Sequence, residues 1–202
     1  MASVYQLKGK FQGLLRPLVV KLAARGVTAN QVTIAATVLS VLYGALMLYV
    51  RYERVLFLLL PLFLFFRMAL NAVDGMLARE HNMKSRLGAV LNELGDVISD
   101  TALYLPFALV TFEGAGIVII ICFLAVISEM TGVVGLQIGA SRRYDGPMGK
   151  SDRAAAFGMI GFFIGVGFVP GWWFTLALVA ILLLVAYTIY NRASKALKES
   201  AA

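Results

Sequence analysis

The chain has 202 residues, 60% of them hydrophobic and only 14% charged, with a mean hydropathy of +0.84 and a formal net charge of +7. That balance excludes an ordinary soluble domain and points to a polytopic membrane protein. The lone Cys122, in the apolar run ICFLAVIS, excludes an intrachain disulfide, and no linker-like or repeated segment divides the chain.

Residues 1–27 carry Val4, Leu7, Phe11, Leu14, Leu15, Leu18 and Leu22 at helical spacing, with Lys8, Lys10, Arg16 and Lys21 between them and a stop at Gly26. This pattern predicts an amphipathic helix lying on the membrane, bent at Pro17. The first residues lack the apolar core and cleavage site of a secretory signal, so the first membrane helix is expected to be retained. From residue 28 to 202 the sequence predicts one all-α domain of six transmembrane helices, near 32–50, 55–78, 87–111, 116–138, 154–169 and 171–190.

Of the 18 Lys and Arg residues, all but Arg51, Arg54 and Arg67 fall in the N-terminal segment, the second and fourth loops, or the tail. Those segments are expected to face the cytoplasm, with both termini. The basic excess then reflects orientation and anionic headgroups, without nucleic acid.

Five of the eleven acids, Asp74, Glu80, Glu93, Asp96 and Asp100, crowd into residues 71–100. On a helix, Arg67, Asn71, Asp74, Gly75 and Ala78 form one stripe, and Asn92, Glu93, Asp96 and Asp100 form another. The short charged connection from Arg79 to Arg86 predicts two antiparallel neighbouring helices whose polar faces enclose a pocket open to the cytosol. A carboxylate at a membrane-helix centre costs about 2.5 to 3.5 kcal/mol. Only Arg67 lies within the spans as a counter-charge, and it is expected to pair with Glu129, so divalent cations are the economical partners for the remaining acids. Oxygen donors without cysteine or clustered histidine favour magnesium, manganese or calcium over zinc. Gly75 and Ala78 either let a ligand approach the backbone or permit close helix packing. Arg79 is placed to hold a phosphate. Together these features suggest phosphoryl transfer. Gly161 and Gly165 read as a helix-packing pair.

The segment DGMLAR (Asp74 to Arg79), followed after eight residues by Gly88 and then by Asp96, resembles the signature D-x2-D-G-x2-A-R-x8-G-x3-D-x3-D of the CDP-alcohol phosphotransferase family. The span layout and the TANQVT segment extend the likeness, which as a whole is to the YnbA-type inner-membrane branch. The resemblance implies a homodimeric inner-membrane enzyme that uses a divalent metal, Mg²⁺ or Mn²⁺, to transfer a substituted phosphate from CDP-diacylglycerol to an alcohol with release of CMP. It implies Asp96 as the base that takes the acceptor proton. The family's first and third aspartates are Asn71 and Asn92 here, so the expected metal set is Asn71, Asp74, Asn92 and Asp96, with Glu93 and Asp100 restoring the lost charge.

Asn30 and Thr33 resemble the family's nucleotide-side element, and Thr28 is alternatively a helix N-cap. Lys150 and Arg153 in GPMGKSDR, with Arg142 and Arg143, resemble its basic loop for a lipid or acceptor phosphate, or simply mark the cytoplasmic side. The substrate-contacting set is thus Asn30, Thr33, Asp74, Gly75, Ala78, Arg79, Gly88, Arg142, Arg143, Lys150 and Arg153. A soluble CDP-aminoalcohol donor used with diacylglycerol, and a non-catalytic lipid or nucleotide binder, are the alternative functions. Transport fits less well, because the acids cluster on two consecutive spans with no interrupted counterpart in the other half.

Overall fold

Helix boundaries follow side chains that occupy the free amide groups of first turns. After α1 (Val4–Ala24), Gly26 takes a φ of 74° and Val27 N bonds back to Leu22 O, a glycine-dependent stop. Helix α2 (Ala29–Val50) starts at Thr28, whose Oγ1 accepts from Gln31 N while Gln31 Oε1 accepts from Thr28 N. Helix α3 (Arg54–Glu80) comes next, and α4 (Arg86–Tyr104) begins at Ser85, whose Oγ accepts from Gly88 N at 2.9 Å. Pro106 halts α4, and a 3-10 turn (Leu105–Leu109) leads to α5 (Phe112–Gln137). Helices α6 (Lys150–Gly165) and α7 (Trp172–Ser200) complete the chain.

The computed structural model describes residues 4–51 and 53–201, with side chains from residue 11 onward. Those residues are all-helical, and α2, α3, α5 and α7 are long and apolar enough to cross a membrane. The third predicted span is α4 plus the 3-10 turn, and the fifth is a helix of only 16 residues. Helix α1 runs uninterrupted through Pro17 and packs on α3 through Val19 and an Arg16–Glu80 ion pair. Of its predicted stripe, Val4, Leu7, Lys8 and Lys10 lie outside the described side chains.

The principal packed pairs are α2 with α4, α3 with α6 and α5 with α7. Small residues make these contacts close. A Cβ on Gly44 would lie 2.0 Å from Ala102 O, and one on Gly165 only 2.4 Å from Leu58 N. Gly161 likewise rests on Phe57 and Leu60. An aromatic stack of Tyr104 on Phe157, edged by Phe107 and Phe57, fills the core between α3, α4 and α6.

Contrary to expectation, α3 and α4 are not packed neighbours. Among the described residues they make no close backbone contact; α2 touches both, and long polar side chains span the gap between them. Arg67 donates to Asp100 Oδ1 at 2.7 Å and to Asp96 Oδ1 at 3.2 Å, so it does not pair with Glu129. Glu129, 3% exposed on α5, is instead surrounded by Arg153 of α6 at 3.0 Å, Arg192 of α7 at 3.3 Å and Arg142 at 3.3 Å. Arg192, one of the basic residues of the tail, is 1% exposed and also donates to Ser128 O.

The connection between α5 and α6 is tied to the end of α7. Glu199 accepts from Ser141 N and pairs with Arg143, Asp145 accepts from Lys195 and Arg143, and Met148 N donates to Thr188 Oγ1. Gly146, at a φ of 116°, lies against Thr188, where a side chain would collide.

Three outcomes follow from this packing. Gly44→Ala overpacks the α2–α4 contact and should cost about 1–3 kcal/mol, read as a lower melting midpoint in detergent. Glu129→Gln leaves buried arginines without their shared counter-charge, and should cost about 3–5 kcal/mol in unfolding experiments. Partial burial alone would raise the Asp145 carboxyl, but hydrogen bonds from Lys195 and Arg143 outweigh it and hold it below its ordinary value. Its stabilising contribution is therefore complete above the unfolded carboxylate range, about 3.9, and disappears as pH falls through the lower folded value. Hydrogen exchange of residues 138–149 should accelerate over that window relative to α5, with a smaller step in Asp145→Asn.

Candidate active site

A cavity of about 520 Å³ lies between α2, α3 and α4, where α3 and α4 stand apart. Helix α2 contributes Asn30 and Thr33. Thr33 Oγ1 donates to Asp74 Oδ2 at 2.7 Å, and Asn30 Nδ2 donates to Ser85 Oγ at 3.4 Å. Thr28 is the helix cap, while the next turn of the same segment faces the cavity, so capping and site formation share the motif.

From α3 come Asn71, Asp74, Gly75, Ala78 and Arg79. A Cβ on Gly75 would meet the Arg79 guanidinium at 3.1 Å, so this glycine leaves room for that side chain to fold back along the helix. Arg79 is exposed and makes no hydrogen bond or ion pair with a described residue, as befits a cation available to a ligand. From α4 come Gly88, Asn92, Glu93 and Asp96. Gly88 makes space for Asn30, whose Oδ1 would lie 2.7 Å from an added Cβ. From the start of α6, Lys150 reaches across to Asp96.

Asp96 is the most heavily coordinated acid in the cavity. Its Oδ1 accepts from Asn71 Nδ2 at 2.9 Å and from Arg67, and its Oδ2 is paired with the Lys150 ammonium. Glu93 lines the cavity but is held by Arg142 through two bonds, at 2.6 and 2.5 Å. Asp100 lies outside the cavity lining, with one oxygen on Arg67 and the other on Arg153 at 2.9 Å. Of the two acids expected to restore the metal charge lost at Asn71 and Asn92, Glu93 thus lies on the cavity wall paired with Arg142, and Asp100 lies outside it, paired with Arg67 and Arg153.

The same arginines account for three predicted phosphate contacts that do not line the cavity. Arg142 and Arg153 are committed to acids, and Arg143 faces Asp145 and Glu199 on the far side of the connection. Cavity residues that sequence reasoning missed are Ala29, Met83, Lys84, Ser85 and Ala89. Ser85 carried a readable signal, a serine directly before a helical stretch, as N-caps require. Nothing local marked Lys84 as different from a solvated loop lysine.

Of the predicted metal set, Asn71, Asp74, Asn92, Glu93 and Asp96 line the cavity and Asp100 does not. Oxygen donors of this kind fit magnesium or manganese. Among the described residues, no group of three or more His, Cys, Asp and Glu side chains converges as a metal site.

Residues 26–190 match the family of CDP-alcohol phosphatidyltransferases. The chain is 48% identical over 201 residues to the inner membrane protein YnbA of Escherichia coli (strain K12), covering 98% of each sequence. Two crystal structures of Mycobacterium tuberculosis phosphatidylinositol phosphate synthase (PgsA1) share its fold. The complex with manganese and citrate superposes with a TM-score of 0.74 at 22% identity, covering 90% of this chain and 88% of that one. The form with CDP-DAG bound gives 0.71 at 21% identity, covering 91% and 92%. With its motif residues gathered on one cavity and the match running through nearly all its helices, the chain belongs to the CDP-alcohol phosphatidyltransferase family and is an enzyme of phospholipid headgroup transfer.

Proposed function

We propose that this enzyme transfers the phosphatidyl group of CDP-diacylglycerol to the hydroxyl of an alcohol, releasing CMP, at the cytoplasmic face of the inner membrane. The observation that carries this reading is the convergence of Asn30, Thr33, Asp74, Arg79 and Asp96, from three helices, on a single polar cavity. Beside it, between α3 and α6, runs an apolar groove of about 440 Å³ lined by residues including Leu64, Phe65, Met68 and Phe162, a lateral path suited to acyl chains. The M. tuberculosis enzyme of the same fold binds CDP-DAG, which supports the donor assignment.

In this scheme all six helices from α2 to α7 span the bilayer and α1 lies on its surface. Exposed apolar side chains such as Leu42, Leu62, Phe123 and Leu183 then face lipid, and both termini lie with the basic connections on the cytoplasmic side. The YnbA relative is an inner membrane protein, which supports the location.

Asn30 and Thr33 line the nucleotide side, and the free cations Arg79 and Lys84 face the pyrophosphate. Gly75, Ala78 and Gly88 keep the wall low enough for the ligand to approach. Asp96 accepts the proton of the acceptor hydroxyl as its oxygen bonds to the phosphatidyl phosphorus and the bond to CMP breaks. Arg67 and Asn71 fix the direction of that carboxylate through Oδ1. Lys150, at the cavity edge, is placed to meet an anionic acceptor. Arg142 and Arg153 act through Glu93 and Asp100, as positioning residues. A Mg²⁺ or Mn²⁺ ion held by Asp74, Asp96 and the amide oxygens of Asn71 and Asn92 would supply charge neutralisation at the pyrophosphate.

Purified protein in lipid nanodiscs, given CDP-diacylglycerol, Mn²⁺ and a panel of alcohols, should release CMP with at least one acceptor. Asp96→Asn should lower that rate by about 100-fold or more. Equal rates in the two chains would remove Asp96 from the base role. CMP release with no acceptor on a broad panel would replace transfer by lipid or nucleotide binding.

A further inference from the structure

We infer that this site takes one divalent cation per chain, because Asn71 and Asn92 withhold the carboxylates a second ion needs and the Lys150 ammonium supplies a built-in positive charge on Asp96. The inference rests on the metal reading given above and concerns how many ions that site accepts.

Paired-ion sites for phosphoryl chemistry hold two doubly charged centres about 3.5–4 Å apart, and their mutual repulsion demands several carboxylates around them. Here the four acids near the cavity divide into two classes. Glu93 is covered by the Arg142 guanidinium and Asp100 by Arg67 and Arg153, and these are buried or half-buried pairs whose rupture would strand an unpaired charge. That leaves Asp74, which has no basic partner, and Asp96, whose Oδ2 is held by the partly exposed Lys150 and not by a buried arginine. Asp74 receives a neutral partner, the Thr33 hydroxyl, whereas Asp96 receives two cations, Arg67 and Lys150, besides the Asn71 amide.

Ligand supply sets the count, and charge adds to it. Two carboxylates and the Lys150 ammonium sum to −1, before any share of Arg67 is added. One divalent ion brings the unliganded group to +1, and a second would bring it to +3 with only the neutral amides of Asn71 and Asn92 left to hold it. Asn71 reinforces the limit, since its NH₂ is already spent on Asp96 and it presents at most a neutral carbonyl oxygen. Lys150 differs from Arg67 in one respect that matters: it is the first residue of α6, on a flexible stem and 29% exposed at the side chain, so it can leave Asp96 when an ion arrives. Lys150 is thus a competitor of the metal, and its removal should strengthen ion binding.

The test is a Mn²⁺ titration of the full chain in nanodiscs, with CDP present, following free manganese by electron paramagnetic resonance. The parent chain should bind one ion, and the double variant Asn71→Asp with Asn92→Asp should bind two. Lys150→Gln should bind one ion about tenfold more tightly, whereas Lys150→Arg, which keeps the charge, should stay near the parent affinity. Two ions in the parent chain, or unchanged or weaker affinity in Lys150→Gln, would overturn the inference while leaving the metal reading intact. If no chain takes up manganese, the metal assignment itself falls and this inference with it. The parent stoichiometry decides the matter even where a variant fails to fold.

Discussion

The fold depends on charge compensation in an apolar interior. Five acids on α3, α4 and α5 lie in or beside the helix bundle, and all but Asp74 meet a basic side chain delivered by another element. Unpaired, each would cost several kcal/mol in low dielectric. Paired, they become the bonds that α3, α4, α5, α6 and α7 share, with Glu129 as the point where three arginines meet. The buried polar atoms support the same view: among the described residues only Tyr104 Oη and Ser128 Oγ are buried without a hydrogen-bond partner.

That requirement also explains the cavity. If α3 and α4 packed directly, Arg67 would have no room between them, and Asp96 and Asp100 would be desolvated without a partner. The guanidinium holds the two helices apart at one level, while α2, close to both, closes the back of the gap. Gly44 and Gly95 bring α2 against α4, and the polar residues of its first turns are thereby brought to face Asp74. A structural ion pair and a ligand-sized space are two consequences of one arrangement.

Much of the architecture was legible in the sequence. The apolar stretches located the helices, Gly26 marked the end of the first, and the stripes through Asn71–Ala78 and Asn92–Asp96 named seven residues of the cavity wall, although the predicted third span ran past the break at Pro106. What was not legible was the pairing of acids with bases. Asp100 and Arg153 are separated by 53 positions and meet only because α6 packs on α3 and the 138–149 connection folds back to α7. Helical periodicity places side chains on a face but does not say what faces them. For that reason Arg67 was matched to the wrong acid.

The basic residues in and around the cavity consequently fall into two populations with different work. Arg67, Arg142, Arg153 and Arg192 are bound to carboxylates or carbonyls, and their charge is consumed inside the protein. Arg79 and Lys84 lie on the cavity wall with exposed side chains and form no ion pair with a described residue. A phosphate entering the cavity meets only the second population, because recruiting an arginine from the first would expose a buried carboxylate and cost more than the new contact returns. Lys150 stands between the two, paired to Asp96 yet half-exposed at the mouth. It is the one cation at this site whose partner can be exchanged cheaply, which makes the contact between α6 and Asp96 the natural place for the resting arrangement to give way to a ligand-bound one.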